Sequence, residues 1–103
     1  MRLEYSETAD ALYIYFGRKS RSYGTKEMSK GYSDRIVDYG KDGEPIGVEI
    51  LGTRYGIDVS GLPREAEVAN VLQEHGFRLV PANEQEKPPL RGVRRSRAKG
   101  VAP

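Results

Sequence analysis

The sequence predicts one small α+β domain: an antiparallel sheet of about four to five strands from residues 1–51, one C-terminal amphipathic helix near residues 63–75, and a disordered basic tail. Three observations predict this class. With 103 residues, the chain has room for one hydrophobic core. Apolar residues alternate with a period of two up to residue 51 and then recur at three- and four-residue spacing. Past residue 80 the aromatic residues end, and prolines and basic residues prevail.

Alternation of side chains identifies the strands in order. Leu3 and Tyr5 begin the first strand. The second covers residues 11–16 and places its aliphatic side chains on one face and Tyr13 and Tyr15 on the other. A weaker strand is predicted over residues 22–28, and the last two strands are predicted over residues 35–39 and 46–51.

The last two strands are expected to form a hairpin through a loop at residues 41–44. In this hairpin Asp38 faces Gly47 and shares one face with Glu49. A slip by one residue would mix the acidic and apolar faces, so the alternation favours a single register. The register that gathers the apolar side chains on the other face pairs Tyr39 with Ile46 and Val37 with Val48.

A helix is predicted after the glycine-punctuated segment that follows residue 51. Leu62-Pro63 opens it, because proline suits a first helical turn. Glu65 and Glu67 complement the positive end of the helix dipole, and Gly76 is a natural residue to end the helix. One apolar stripe of this helix consists of Val68, Val71, Leu72 and His75.

Charge and aromatic content divide the chain near residue 80. Residues 1–80 hold all nine aromatic side chains and 11 basic against 13 acidic residues, whereas residues 81–103 hold six basic and two acidic ones. A segment with so few apolar side chains cannot offset its ordering entropy, about 1–2 kcal/mol per residue for the backbone. We therefore expect a single small domain over residues 1–80 and a disordered tail, rich in proline and arginine, over residues 81–103.

Composition excludes several kinds of chemistry. Without cysteine there is no disulfide, iron–sulfur cluster or thiolate zinc site, and His75 is the only histidine. No cofactor is therefore expected. The longest apolar run, residues 11–16, is far shorter than the roughly 20 residues of a membrane-spanning helix, and the first five residues contain no apolar signal core. These features predict a cytoplasmic protein without membrane contact.

Three spaced motifs carry a family resemblance. After Tyr5 come DALYI at residues 10–14, IVDY at residues 36–39 with the turn Asp42-Gly43, and IGVEIL at residues 46–51. This order resembles the aDaLYI strand, the vivDyDxdG strand and turn, and the xGiEIL strand of a small bacterial family, the domain of unknown function 2283. The resemblance covers residues 1–51.

The resemblance implies a shared fold and, by the family's own label, no established activity. Some members look as though they are encoded beside small toxin-like genes, which implies an antitoxin or partner-binding role. The motif residues also have structural explanations. Gly43 suits a turn position with positive φ, and Gly47 suits a close approach between strands.

Acidic residues and the lone histidine are the candidates for catalysis or metal binding. Asp38 and Glu49 are expected on one sheet face, and Asp10 and Asp42 lie near strand ends. Carboxylates that converge bind Mg²⁺ or act as an acid/base pair, but the sequence does not show whether these four converge. His75 ends the predicted helix, where interaction with the helix dipole explains it without catalysis. No catalytic or metal-binding residue is assigned.

Tyr13 and Tyr15 are the candidate residues for a protein interface, at which tyrosine is enriched. The alternative is stacking on nucleobases, helped by the basic residues 18, 19 and 21 that follow. The slight excess of acidic residues before residue 80 argues against a nucleic-acid platform on the sheet.

The tail is the candidate for contact with nucleic acid, because five basic residues fall within nine positions with no acidic residue among them. Such a cluster binds RNA or DNA without sequence specificity and with strong salt dependence. The alternatives are solubility and binding to an acidic protein. The five residues are Arg91, Arg94, Arg95, Arg97 and Lys99.

These observations favour a non-catalytic protein-interaction module, because an open antiparallel sheet has edges and a small core gains from pairing them. A homodimer through an edge strand and a complex with a small partner of antitoxin type both fit. The alternative function is a nucleic-acid-associated protein that binds RNA or DNA through the tail. A metal-dependent or hydrolytic enzyme has the least support.

Overall fold

A computed structural model describes residues 1–29 and 31–86 of the chain. Over these residues it has five strands, one α-helix and two 3₁₀ turns, Thr53–Tyr55 and Ala82–Glu84. The α+β class with an antiparallel sheet and one helix is confirmed. The strands are β1 (Arg2–Ser6), β2 (Ala11–Tyr15), β3 (Gly24–Glu27), β4 (Asp34–Tyr39) and β5 (Pro45–Leu51), and the helix is α1 (Glu65–Glu74).

The five strands form one antiparallel sheet in the order β1-β2-β5-β4-β3. The last strand in the sequence therefore lies at the centre, between β2 and β4. The weaker strand expected over residues 22–28 is β3, an edge strand of four residues that are all exposed. Because β5 is central, the three sequence motifs, which are far apart in the chain, occupy three neighbouring strands.

The predicted register of the β4–β5 hairpin is confirmed for Val37 and Asp38, which pair with the residues expected. It is wrong for Tyr39, which pairs with Pro45 and not with Ile46. The register shifts after Asp38, so that Ile46 is the extra residue of a β-bulge. A proline has no N–H to donate to a strand ladder, and a bulge is one of the few places in a sheet that accommodates it.

One face of the sheet packs against α1 and the segments that flank it. The β-strand side chains of this face alternate with those of the other face, as the sequence pattern predicts. The buried core consists of Leu12, Ile14, Phe16, Val37, Val48, Ile50, Ile57, Leu62, Val68 and Leu72. After the helix, the chain returns along residue 57, where Ile57 and Leu79 form a parallel bridge.

The helix begins two residues later than the proline signal predicts. Arg64, just before it, has a left-handed backbone with φ of 54°, which a right-handed helix cannot include. Its guanidinium holds this position by donating to both carboxylate oxygens of Glu67 at 2.6 and 2.8 Å and to the Phe16 carbonyl at 3.2 Å. The end of the helix is as predicted: Gly76 has φ of 84°, the left-handed conformation that favours glycine.

A buried arginine ties two loops to the sheet. The side chain of Arg35 is on the core face of β4, and the residue is only 3% exposed. Its Nε donates to the carbonyl of Met28 at 2.9 Å, and its Nη1 donates to the carbonyls of Asp58 at 2.9 Å and Ser60 at 2.7 Å. These bonds satisfy the guanidinium away from water and join the β3–β4 connection to the segment that leads into α1.

Packed structure continues past the predicted domain end at residue 80. Gln85 is buried, and its Nε2 donates to the Gly56 carbonyl at 2.7 Å and to Ser33 Oγ at 3.0 Å. Its Oε1 accepts the Tyr32 N–H at 2.7 Å. These contacts attach residues 81–86, the first six residues of the expected tail, to the sheet and its flanking segments. Residues 87–103 lie outside the described part. No described helix has the length and apolar character needed to cross a membrane.

The ring of Tyr13 on β2 crosses directly over Gly47 on β5. A Cβ placed on Gly47 would lie 2.5 Å from Tyr13 Oη and 2.8 Å from the carbonyl oxygen of Ile14. Glycine is needed at this position because of the ring above it, and the φ angle of Gly47 is not positive. The expectation of a close approach between strands at Gly47 is therefore confirmed.

We expect Gly47→Ala to lower the free energy of unfolding by about 1–3 kcal/mol, because the new methyl group must displace both the Tyr13 ring and a strand backbone. Gly24→Ala is the matched control, since Gly24 is also a strand glycine and its added Cβ would meet nothing within 4 Å. This control should change stability by less than about 1 kcal/mol. Urea unfolding followed by circular dichroism measures both; equal stabilities would contradict the crowding at Gly47.

Candidate interaction surface on the open face of the sheet

The sheet face opposite α1 is called the open face here. Strand register places its residues in rows that run across the sheet. The first row is Arg2, Tyr15, Gly47, Asp38 and Thr25; the second is Glu4, Tyr13, Glu49, Ile36 and Glu27; the third is Ser6, Ala11, Leu51 and Asp34. Tyr13 and Tyr15, the predicted interface residues, thus lie side by side near the middle of this face.

Tyr13 joins three strands through one hydrogen bond. Its hydroxyl crosses β5 above Gly47 and donates to Asp38 Oδ2 on β4 at 2.6 Å. Burial of the phenol raises the pKa of Tyr13 well above its ordinary value, and the hydrogen bond to Asp38 and the negative charge of that carboxylate raise it further. The hydroxyl therefore stays protonated and acts as a fixed donor.

Tyr15 is held by charged neighbours. Its hydroxyl donates to Glu4 Oε1 at 3.0 Å, and its ring centroid lies 4.6 Å from that of Tyr13. The guanidinium of Arg2 lies over the Tyr15 ring at 4.5 Å from the centroid, and the Lys19 ammonium lies at 5.4 Å. Such cation–π contacts show that this surface accepts a guanidinium on an aromatic ring.

The four acidic candidates for catalysis or metal binding do not form one site. Asp38 and Glu49 share the open face, as predicted. Asp10 lies elsewhere, in a left-handed turn with φ of 49°, and its carboxylate accepts hydrogen bonds from Thr53 Oγ1 and from the backbone N–H of residue 54. Asp42 Oδ1 accepts the N–H of residue 44 within the β4–β5 turn, at 3.1 Å. Asp10 therefore stabilises the turn at residues 53–54, and Asp42 stabilises its own turn between β4 and β5.

The remaining candidates are a metal site, His75 and the basic residues of the tail. Among residues 1–29 and 31–86, no three or more His, Asp or Glu side chains are grouped so as to hold a metal ion. His75 is exposed, and its Nδ1 lies 2.9 Å from the Val71 carbonyl in the last helical turn, in agreement with its structural explanation. The candidate nucleic-acid-binding residues Arg91, Arg94, Arg95, Arg97 and Lys99 all lie outside the described residues.

The open face carries an excess of negative charge. Its acidic side chains are spread over four strands, whereas the positive charges that the described residues place on it are Arg2 on β1 and Lys19, which reaches over Tyr15. The acidic residues are Glu4, Glu27, Asp34, Asp38 and Glu49. The face therefore repels a nucleic-acid backbone and attracts a basic group.

Two residues that organise this region were missed from the sequence. Arg35 carried a usable signal, because its alternation with Val37 places it on the apolar face of β4. Gln85 carried none: it is a polar residue in a stretch rich in charge and proline, and only the three-dimensional proximity of Ser33 and Gly56 explains its burial.

Tyr13→Phe is expected to cost about 1–3 kcal/mol at neutral pH, because Asp38 loses a hydrogen-bond donor. The loss should shrink as the pH rises above about 10, where tyrosine in the unfolded chain ionises but Tyr13 in the folded chain keeps its proton. The stabilisation that the protonated Tyr13 hydroxyl gives to wild type is thus complete below about pH 10 and declines above it. Urea unfolding from pH 7 to 11 measures the difference between wild type and variant. Tyr23→Phe, at a 57% exposed residue, is the control; a difference for Tyr13→Phe that stays constant with pH would contradict the protonated donor.

Comparison with known proteins gives a single result. No curated protein and no solved structure matches the chain. The model of the DUF2283 family, described as proteins of unknown function, matches residues 2–54, which is more than half of the chain. The matched region contains all five strands and the Tyr13, Gly47 and Asp38 contact that joins the three motifs. The resemblance found in those motifs is therefore confirmed, and the chain belongs to the DUF2283 family of proteins of unknown function.

Proposed function

We propose that this chain is a non-catalytic protein-interaction module that binds its partner through the open face, with Tyr13 and Tyr15 at the centre. One observation carries the proposal. Both tyrosines are held in place before any partner arrives, Tyr13 by Asp38 and Tyr15 by Glu4 and Arg2. Such pre-organised aromatic side chains lose little conformational entropy on binding, which is why tyrosine serves well at interfaces.

The residues around the tyrosines support the same proposal. Ile36 and Leu51 are half-buried and extend the apolar part of the face across β4 and β5. Exposed charged residues lie towards its margins, among them Arg2 on one side and Glu27 on the other. An apolar and aromatic centre with a polar rim is the usual arrangement of a protein interface.

Two kinds of partner fit the proposal, a second copy of the chain in a homodimer and a small protein of antitoxin type. The edge strands β1 and β3 offer a homodimer another route, through strand pairing. We favour the open face over the edges because both edge strands are short, with five residues in β1 and four in β3. The absence of cysteine is consistent with the bacterial cytoplasm that we propose as the location.

We expect Tyr15→Ala to weaken the partner interaction by about 2 kcal/mol or more, the loss typical of a central aromatic residue. Tyr23→Ala is the matched control, because Tyr23 also lies beside an arginine, Arg21, but precedes β3 and is in none of the three rows of the open face. Size-exclusion chromatography with light scattering, up to high micromolar concentration, compares self-association of the three proteins. Affinity capture from the native host compares partner binding.

A homodimer through the open face would be supported if wild type and Tyr23→Ala are dimers and Tyr15→Ala is a monomer. A separate partner would be supported if wild type and Tyr23→Ala capture a protein that Tyr15→Ala does not capture. Dimers that persist in Tyr15→Ala would place the contact at an edge strand, and a monomer that captures no protein would contradict the interaction module itself.

The alternative function, binding of RNA or DNA through the tail, has one specific observation in its favour. Arg91, Arg94, Arg95, Arg97 and Lys99 form a cluster without an acidic residue, while the open face is acidic. A nucleic acid would therefore bind the tail and avoid the sheet. Because the sequence of residues 87–103 contains no aromatic side chain to stack on bases, binding would depend on phosphate charge.

If all five cations contact phosphates of a single strand, affinity should fall roughly 50-fold between 50 and 150 mM salt. Gel shift of the full chain on a single-stranded RNA at these two concentrations measures the fall. A variant with glutamine at all five positions should not shift the RNA. Equal shifts of the two proteins, or no shift of either, would remove the nucleic-acid function.

A further inference from the structure

The open face is an acidic surface, and the chain continues past its described part with a basic segment. Within the described part of the chain, Glu27, Asp34 and Glu49 make no ion pair, and they lie on three different strands of this face. Asp34 accepts one hydrogen bond, from Ser29 Oγ at 2.9 Å. Carboxylates spread in this way fit several cationic side chains presented along an extended segment.

The described chain ends on the helix side of the sheet, at the end where the third row of the open face lies. Gln85 is anchored beside Ser33, the residue that directly precedes Asp34 and β4. The N–H of Glu86 donates to the Tyr55 carbonyl at 3.3 Å, which fixes the last described residue near the same end of the sheet. A segment that follows Glu86 thus has to pass round this end of the sheet to reach the open face.

The remaining segment has the charge and the length to cover the face. Residues 87–99 contain six basic and no acidic residues. Thirteen extended residues span up to about 45 Å, whereas five strands are only about 19 Å across. A tether of this length gives the segment a millimolar effective concentration at the face, so that weak contacts suffice to occupy it.

The open face also shows the chemistry that such a segment would use. Arg2 already places its guanidinium over Tyr15 at 4.5 Å and pairs with Glu4 at 3.6 Å. An arginine that stacks on an aromatic ring while its edge meets a carboxylate uses both recognition modes of the guanidinium group. The middle and far side of the face, around Tyr13 and Glu49, offer the same two groups.

We propose that the basic segment 87–103 of this chain docks on the open face of its own sheet. Its arginines pair with Glu27, Asp34 and Glu49 and stack on the tyrosines, while Leu90 and Val93 lie against the apolar part of the face. The docked segment covers the surface through which a protein partner would bind. A partner must then displace it, and a polyanion that captures the segment uncovers the face. The docking does not depend on the proposed function.

The absence of cysteine allows a direct test in the full chain. Ser96 lies between Arg95 and Arg97, so Ser96→Cys introduces a unique thiol for a nitroxide spin label in the middle of the basic cluster. Paramagnetic broadening of amide signals in the ¹⁵N-labelled protein then reports where the segment lies. We expect the signals of Ile36 and Glu49 to lose about half of their intensity or more at low salt and to recover at 0.5 M salt, with Val71 on α1 unchanged.

Charge variants of the same labelled protein supply the control. Changing Glu27 and Glu49 to glutamine and Asp34 to asparagine should abolish the broadening. Changing three exposed acidic residues away from the face to glutamine alters the net charge equally and should preserve it; these residues are Glu7, Glu44 and Glu74. All of these side chains belong to residues that are at least partly exposed, so neither variant disturbs the core.

Three outcomes would overturn the proposal. Broadening spread evenly over the surface, or centred on the groove between residues 57–60 and 79–83, would show that the segment does not dock on the open face. Broadening that survives neutralisation of the three face carboxylates would remove its electrostatic basis. In a mixture, ¹⁵N-labelled protein without a spin label is combined with spin-labelled protein without ¹⁵N. Broadening in this mixture as strong as in the singly prepared protein would assign the contact to a second chain.

Discussion

The hydrogen bond from Tyr13 to Asp38 across Gly47 is the constraint on which the sheet depends. It links β2, β5 and β4 in one step and is possible only in the register in which a glycine lies beneath the ring. A slip of one residue would place a side chain under Tyr13 and reverse the faces of the strand. The three motifs of this chain, all within the region that matches the DUF2283 family, thus have a common physical explanation, since each contributes one member of this contact.

Local patterns in the sequence were sufficient for the strands and for their two faces. Alternation placed Tyr13 and Tyr15 opposite the aliphatic core, and Gly76 marked the helix end, because both signals depend on neighbouring residues alone. The bulge at Ile46 and the later helix start at Glu65 depend on contacts that the pattern does not contain. The proline signal at the helix was overridden by side-chain bonds of the residue that follows it.

The candidate site was predictable only in part, for a related reason. Which residues share a face follows from alternation, whereas the distance from Tyr13 to Asp38 follows from the order of strands in the sheet. That order also separates Asp10 from the other carboxylates and directs it to the turn at residues 53–54. The net charge of +2 conceals a comparable separation, between an acidic sheet face and a strongly basic C-terminal segment.

Gln85 has a consequence for the order in which the domain completes itself during synthesis. The sheet uses residues up to Leu51, but the buried hydroxyl of Ser33 and the buried carbonyl of Gly56 receive the Gln85 amide only after the chain has grown to residue 85. Chains grow on the ribosome at about 5–20 residues per second, so Gln85 is synthesised some seconds after the last strand. The hydrogen bonds from Gln85 to Ser33 Oγ and to the Gly56 carbonyl can therefore form only after every strand, the helix and the rest of the core have been synthesised.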